Sequence, residues 1–274
     1  MVKQNLFNIF FFEFMISINV TIRKLVFLFG LVLVFAIRFF ERANCLLYSP
    51  SIGDCVLYIM KGNSIYIPTP GNPFEIPIMW FLIYLTIFFI IADYSNVTFH
   101  MLGKQSFVKI KNRIYWWYSK CMVCFCVSIL SYAAIMLAIL LVSICYGTIS
   151  FKINNEIAEV ISDIRIIGDS GTMSVWIVCI IVPLFTVYVL GMIQVIVSML
   201  SNSIYAYLLV CIYLIASAYY CNYYFLVANF MIPIRNKVMN YGGYSSAWAL
   251  GVNTCLFFLM FHIGKKVLRK YEVK

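Results

Sequence analysis

Six apolar runs, each close to the length a helix needs to cross a bilayer, occupy most of this chain. A spanning helix takes roughly 20 mostly apolar residues, and the runs fall at 25–40, 76–92, 121–146, 175–200, 204–220 and 247–263. Arg23-Lys24 and Glu41-Arg42 bound the first, and Arg38 sits near enough to its end for the long side chain to reach the interface. Only Ser201-Asn202-Ser203 separates the fourth from the fifth. Composition agrees, with 64% hydrophobic and 11% charged residues where a soluble domain has about 45–50% and about 25%. The expectation is an all-α integral membrane protein, a single transmembrane domain over residues 1–274 with no soluble domain attached.

Charge decides orientation. The net charge of +10 lies between and beyond the apolar runs, which points to membrane lipid and not to nucleic acid. With six spans both termini share one side. That side holds thirteen Lys and Arg against Glu13, Asp93 and Glu272, while the other holds seven against seven acids. The positive-inside rule therefore places both termini in the cytoplasm of a multi-pass plasma-membrane protein. The start, Lys3 followed by Phe-rich sequence, lacks a small-residue cleavage site and is interrupted by Glu13, so it is expected to stay in the mature chain.

Three segments outside the spans carry information. Residues 4–22 are Phe- and Ile-rich, with Glu13, Ser17 and Thr21 on one ridge at spacing four, and are expected to form an interfacial helix leading into the first span. Residues 103–120, GKQSFVKIKNRIYWWYSK, form a basic and aromatic island. Read as a helix, Phe107, Ile110, Ile114 and Trp117 share one face, and Lys109, Arg113, Trp116 and Lys120 share another. Residues 223–238 begin with an apolar run of 12 residues, Tyr223 to Ile234, too short to cross. It includes Asn229, ends at Pro233 and Arg235, and is followed by the hinge-like Tyr241-Gly242-Gly243-Tyr244. It is either a re-entrant segment or a partly buried outer loop. Turn residues fill the loop at 41–75, and a short helix is expected within 154–166.

Chemistry-bearing motifs are sparse. G-x-x-x-x-G-K-[ST], H-E-x-x-H and G-x-S-x-G do not occur, and no run carries an acid in its middle. The chain is expected to be no enzyme and to hold no metal or cofactor itself. Cys121, Cys124 and Cys126 form C-x-x-C-x-C at the mouth of an apolar run without nearby His or acid, which suits small apolar filler. Cys45 and Cys55 share the outer loop and are the candidate disulfide pair, though spacing alone does not establish the geometry. Gln194, Asn253 and Thr254 are polar positions inside later spans, open to interhelical hydrogen bonds or to a substrate path. The N-V-T sequons at Asn19 and Asn96 fall on the cytoplasmic side and are chance matches.

The order of these elements resembles the permease subunits of ABC type-2 exporters, the type V exporter fold, along nearly the whole chain. The most local match is Gly103-Lys104-Gln105 followed by Lys111-Asn112-Arg113 and Trp116-Trp117-Tyr118-Ser119-Lys120. It is similar to the pattern G-x-Q…R…W-W-x-x-K before the third span of small bacterial permeases. The resemblance implies an interfacial helix, six spans, a coupling helix at 103–120 and a re-entrant hairpin before the last span. It also implies pairing with a second permease chain, the same or related, and with two copies of an ATPase subunit that binds ATP and Mg. Phe107, Ile110, Ile114 and Trp117 would pack against the span bases or that partner. Lys109, Arg113 and Lys120 would meet acidic partner residues or lipid phosphate. Such permeases move hydrophobic or amphipathic cargo such as peptides, antimicrobial compounds or lipid-like molecules. The rival reading is a structural or sensory six-span subunit without transport.

Overall fold

The computed structural model describes residues 6–69, 71, 73–96, 113–167, 171–221 and 226–270. Its long elements are helices. α1 spans Leu6–Cys45, α2 Ile52–Met60, α3 Ile78–Asn96, α4 Arg113–Cys145 and α5 Asn155–Ser162. α6 covers Thr172–Leu200 with one π turn at Ile177–Ile181, α7 is Ser203–Tyr219 and α8 is Ser246–Lys270. Five of them, α1, α3, α4, α6 and α8, are long and apolar enough to cross a membrane, so the chain is a multi-pass membrane protein in kind. α7, the fifth expected span, is apolar but 17 residues long, roughly 25 Å.

The interfacial helix expected at 4–22 and the span at 25–40 are one unbroken helix. α1 has 40 residues and a length of roughly 60 Å, twice a bilayer's hydrocarbon core. Nothing in the sequence between them breaks it, since neither Pro nor Gly occurs from Leu6 until Gly30. Its buried face runs through Glu13, Ser17, Thr21, Leu28, Val32, Ala36, Phe39 and Ala43, and α4 is the helix it packs against most extensively. The polar ridge of Glu13, Ser17 and Thr21 thus points into the protein.

α4 likewise starts earlier than the expected span. Arg113–Lys120, nearly half of the basic and aromatic island, is the first two turns of this 33-residue helix. Residues 103–112, including Phe107, Lys109 and Ile110, lie outside the described residues.

The helices share two ends. At one, the base, the start of α1 meets the end of α3, the start of α4 and the end of α8. At the other, a cap of short elements closes over the bundle. α2 carries a capping box, Ser51 with Asp54, and α5 is N-capped by Asn154. The two are stitched together where Asp54 Oδ1 accepts from the Asn154 amide at 2.8 Å and the Ile52 amide donates to Ser150 at 2.9 Å. Lys61 Nζ donates to the Ser162 carbonyl at 2.7 Å and so caps the C-terminal end of α5.

Candidate functional site

Four side chains from three helices converge at the base. α4 contains no Pro or Gly, so its helix runs straight through the aromatic cluster. Trp116 and Lys120, four residues apart, fall on the face turned to α1, and Trp117 lies one position round on the face turned to α8. Glu13 is buried opposite the first pair. Its Oε1 accepts from Trp116 Nε1 at 2.6 Å, and its Oε2 accepts from Tyr94 of α3 at 3.1 Å. Lys120 Nζ lies 2.5 Å from the same Oε2, both side chains being almost wholly shielded from solvent. The ammonium also sits 4.7 Å from the Trp116 ring centroid and 5.0 Å from that of Tyr94.

A buried ammonium or carboxylate survives only when it is paired and hydrogen-bonded, and this arrangement supplies both. Each carboxylate oxygen has a donor on another helix, so one group binds α1 to α3 and to α4 together. A second ion pair, Lys24 to Asp93 at 2.5 Å, repeats the α1–α3 link farther up, with Lys24 also 4.0 Å from the Phe89 ring centroid.

Trp117 makes the fourth connection. Its Nε1 donates to the Phe261 carbonyl of α8 at 3.1 Å, and its ring lies against Gly264, where an added Cβ would fall inside the indole. Tyr118 stacks on Phe261 with centroids 5.1 Å apart and planes 8° apart. The α4 base therefore grips α1, α3 and α8 through side chains within five consecutive residues, Trp116 to Lys120.

Of the residues expected to carry the site, Trp116, Trp117 and Lys120 meet here, while Arg113 opens the helix and the half-buried Ile114 follows it. Lys120 differs from expectation. It was expected to meet acidic partner residues or lipid phosphate, yet it is buried against Glu13, and Trp116 on the same face is buried with it. Glu13 and Tyr94 were not read as site residues. The spacing-four ridge through Glu13 was the one available signal for the first, and nothing in the sequence singled out the second.

The expected re-entrant segment lies at the cap end. Residues 226–235 form two 3₁₀ turns, Val227–Met231 and Pro233–Arg235, with Asn229, Pro233 and Arg235 all buried. Among the described residues Arg235 donates to several neutral acceptors. Its Nη1 donates to the Ser217 carbonyl at 2.7 Å and to Asn229 Oδ1, and its Nη2 donates to the Ala218 carbonyl at 2.6 Å and to Asn63 Oδ1 at 3.1 Å. Its Nε donates to the Asn63 carbonyl at 3.2 Å. The guanidinium thereby caps the C-terminal carbonyls of α7 and fastens the segment and the 61–64 loop to it. Trp80 of α3 adds a 2.6 Å bond to the Met231 carbonyl. At Gly243 a Cβ would run into the Arg235 and Asn236 backbone, which explains a glycine at this crossing.

The candidate disulfide is not formed. Both thiols are free, with Cys45 exposed at the end of α1 and Cys55 buried inside α2. The helical geometry of α2 turns Cys55 toward the core, where burial raises its thiol pKa well above the usual range. Gln194 and Asn253 make interhelical bonds, to the Phe88 carbonyl at 3.0 Å and to Thr186 Oγ1 at 2.9 Å. Thr254 bonds its own helix at Leu250. No protein-family model matches the chain, and no curated protein or solved structure matches it.

Proposed function

We propose that this chain is the membrane-spanning subunit of an ATP-driven exporter of the ABC type-2 kind. In this reading α7 also crosses, as the fifth of six spans, and both termini and the base face the cytoplasm of a plasma membrane. The chain pairs with a second permease chain, and two ATPase subunits holding ATP and Mg engage residues 103–120. The cargo class is hydrophobic or amphipathic.

One observation carries the reading, namely the way Trp116, Trp117 and Lys120 lock the start of α4 into α1, α3 and α8. A push on the basic residues just before Arg113 would be delivered to four helices at once as a rigid-body displacement, because packed interfaces of this kind do not deform continuously. The cation excess at this end suits an acidic partner groove or anionic lipid.

The experiment is affinity purification from native membranes followed by assay of nucleotide hydrolysis. A chain containing a P-loop should co-purify, and Lys109→Ala with Arg113→Ala should weaken its capture while leaving the permease folded. Trp117→Ala should retain capture but lower hydrolysis stimulated by cargo. Recovery of the folded protein with no nucleotide-binding chain attached would refute the reading.

A further inference from the structure

The first half of α1 presents a face that its own protein leaves uncovered. Phe7, Phe11, Phe12, Met15 and Ile22 are between 50% and 70% exposed, on the side opposite Glu13, Ser17 and Thr21. From Leu6 to Ile22 the sequence contains one charge, Glu13, and it is buried in the α4 contact. Charge returns only at Arg23 and Lys24.

This is the reverse of an amphipathic helix lying on a membrane with its polar side in water. Here the polar ridge is consumed by the protein and the apolar side is outermost. The exposed face also continues along the same helix into the spanning half, where Val26, Phe27, Val34 and Ile37 are 40% to 65% exposed. That upper face belongs to a helix long and apolar enough to cross a membrane, so its surroundings are acyl chains. No Pro or Gly bends the helix between the two halves.

We infer that phospholipid acyl chains of the leaflet bordering the base cover the Phe7–Ile22 face, making it a lipid contact and not a protein-docking surface. Three observations choose lipid over a protein partner. The face carries no exposed charge to orient a partner, it is continuous with the lipid-facing side of the span, and its exposed polar residues are only Asn8 and Asn19. A helix of roughly 60 Å can keep such a face in lipid by tilting and by drawing the inner leaflet along it. The start of α1 is then held on one side by Glu13 and on the other by the bilayer, so lipid composition acts directly on the α1–α4 contact. This inference rests on the membrane character of the chain and not on the transport reading.

The test is site-specific photo-crosslinking in the native membrane, followed by intact-mass analysis. Phe11→p-benzoylphenylalanine and Phe12→p-benzoylphenylalanine replace half-exposed rings with rings, and Val26→p-benzoylphenylalanine marks the lipid-facing span. The expected result is a mass gain of one phospholipid at positions 11 and 12, with a yield comparable to that at 26. Capture of another protein chain at 11 or 12 would overturn the inference, as would no adduct at either position while position 26 acquires lipid.

Discussion

Breaking the Glu13–Lys120 pair tests the central contact of the base, and its geometry sets the size of the effect. Both side chains are nearly wholly buried, so removing one partner strands a charge away from water, at a cost of about 3–5 kcal/mol. The two single variants are not equivalent. Lys120→Met leaves Glu13 with donors from Trp116 and Tyr94, which places it near 3 kcal/mol in order of magnitude. Glu13→Gln leaves the Lys120 ammonium with two aromatic rings and one amide oxygen, and should cost about 4 kcal/mol. The double variant removes both charges and should be more stable than the sum of the singles by about 2–3 kcal/mol. Exchanging the pair, Glu13→Lys with Lys120→Glu, should not restore stability. The Trp116 and Tyr94 donors converge on position 13 and would then face an ammonium. Equilibrium unfolding in bicelles, followed by steric trapping, measures all five proteins. Additive single effects below about 1 kcal/mol, the size of an exposed pair, would refute the reasoning, and so would full rescue by the exchange.

Gly264→Ala puts a Cβ into the Trp117 ring and should cost about 1–3 kcal/mol through overpacking, read as a lower unfolding midpoint. Gly251→Ala, with open space around it, should be neutral or slightly stabilising in the same assay. Arg235→Lys keeps the charge but loses the planar fork that serves α7, Asn229 and the 63–64 loop. It should destabilise by about 2–3 kcal/mol and speed protease cleavage in the cap. Asp54 supplies a pH prediction. Burial raises its carboxyl above 3.8 despite bonds from Asn154 and Ser51 that pull it down, so the folded state takes up this proton before the unfolded one. Its contribution is fully present below pH 3.8 and is lost as pH rises through the raised folded value. Between neutral pH and pH 4 the thermal midpoint of the wild type should therefore gain on that of Asp54→Asn, and a loss would contradict the burial argument.

The helices were legible because membrane spans are written in runs of residues, and each long apolar run falls in a helix, although α1 begins 19 residues before its expected span and α4 eight before. What each polar residue faces was less legible. The spacing of Glu13, Ser17 and Thr21 defines one side of α1, but periodicity reads the same whether that side meets water or another helix. The choice was made by Trp116 and Lys120, more than a hundred residues away. Arg235 is a similar case. Its described acceptors come from residues 63, 64, 217, 218 and 229, a set assembled only by the fold. α2 was hidden for a different reason. Ser51 and Asp54 stand at capping-box spacing before an apolar stretch, but the prolines around them favour a turn, and burial against α5 settles the matter.

The two ion pairs of the base also bear on the proposed orientation. Counting cations assumes that each Lys and Arg is free to act on the membrane field, yet Lys120 is consumed by Glu13 and Lys24 by Asp93. Both partners of each pair lie on the same side, so removing the pairs takes two cations and two acids from that side and none from the other. The thirteen cations against three acids become eleven against Glu272 alone. The asymmetry behind the proposed orientation therefore survives removal of those pairs, and Lys265 and Lys266 of α8 are among the described cations that carry it. The two pairs join α1 to α4 and α1 to α3, the first of them buried and the second partly exposed. Neutralising Lys109, Lys111, Lys265 and Lys266 together should thus weaken the topological bias while leaving the bundle's stability nearly unchanged, whereas neutralising Lys120 should do the opposite.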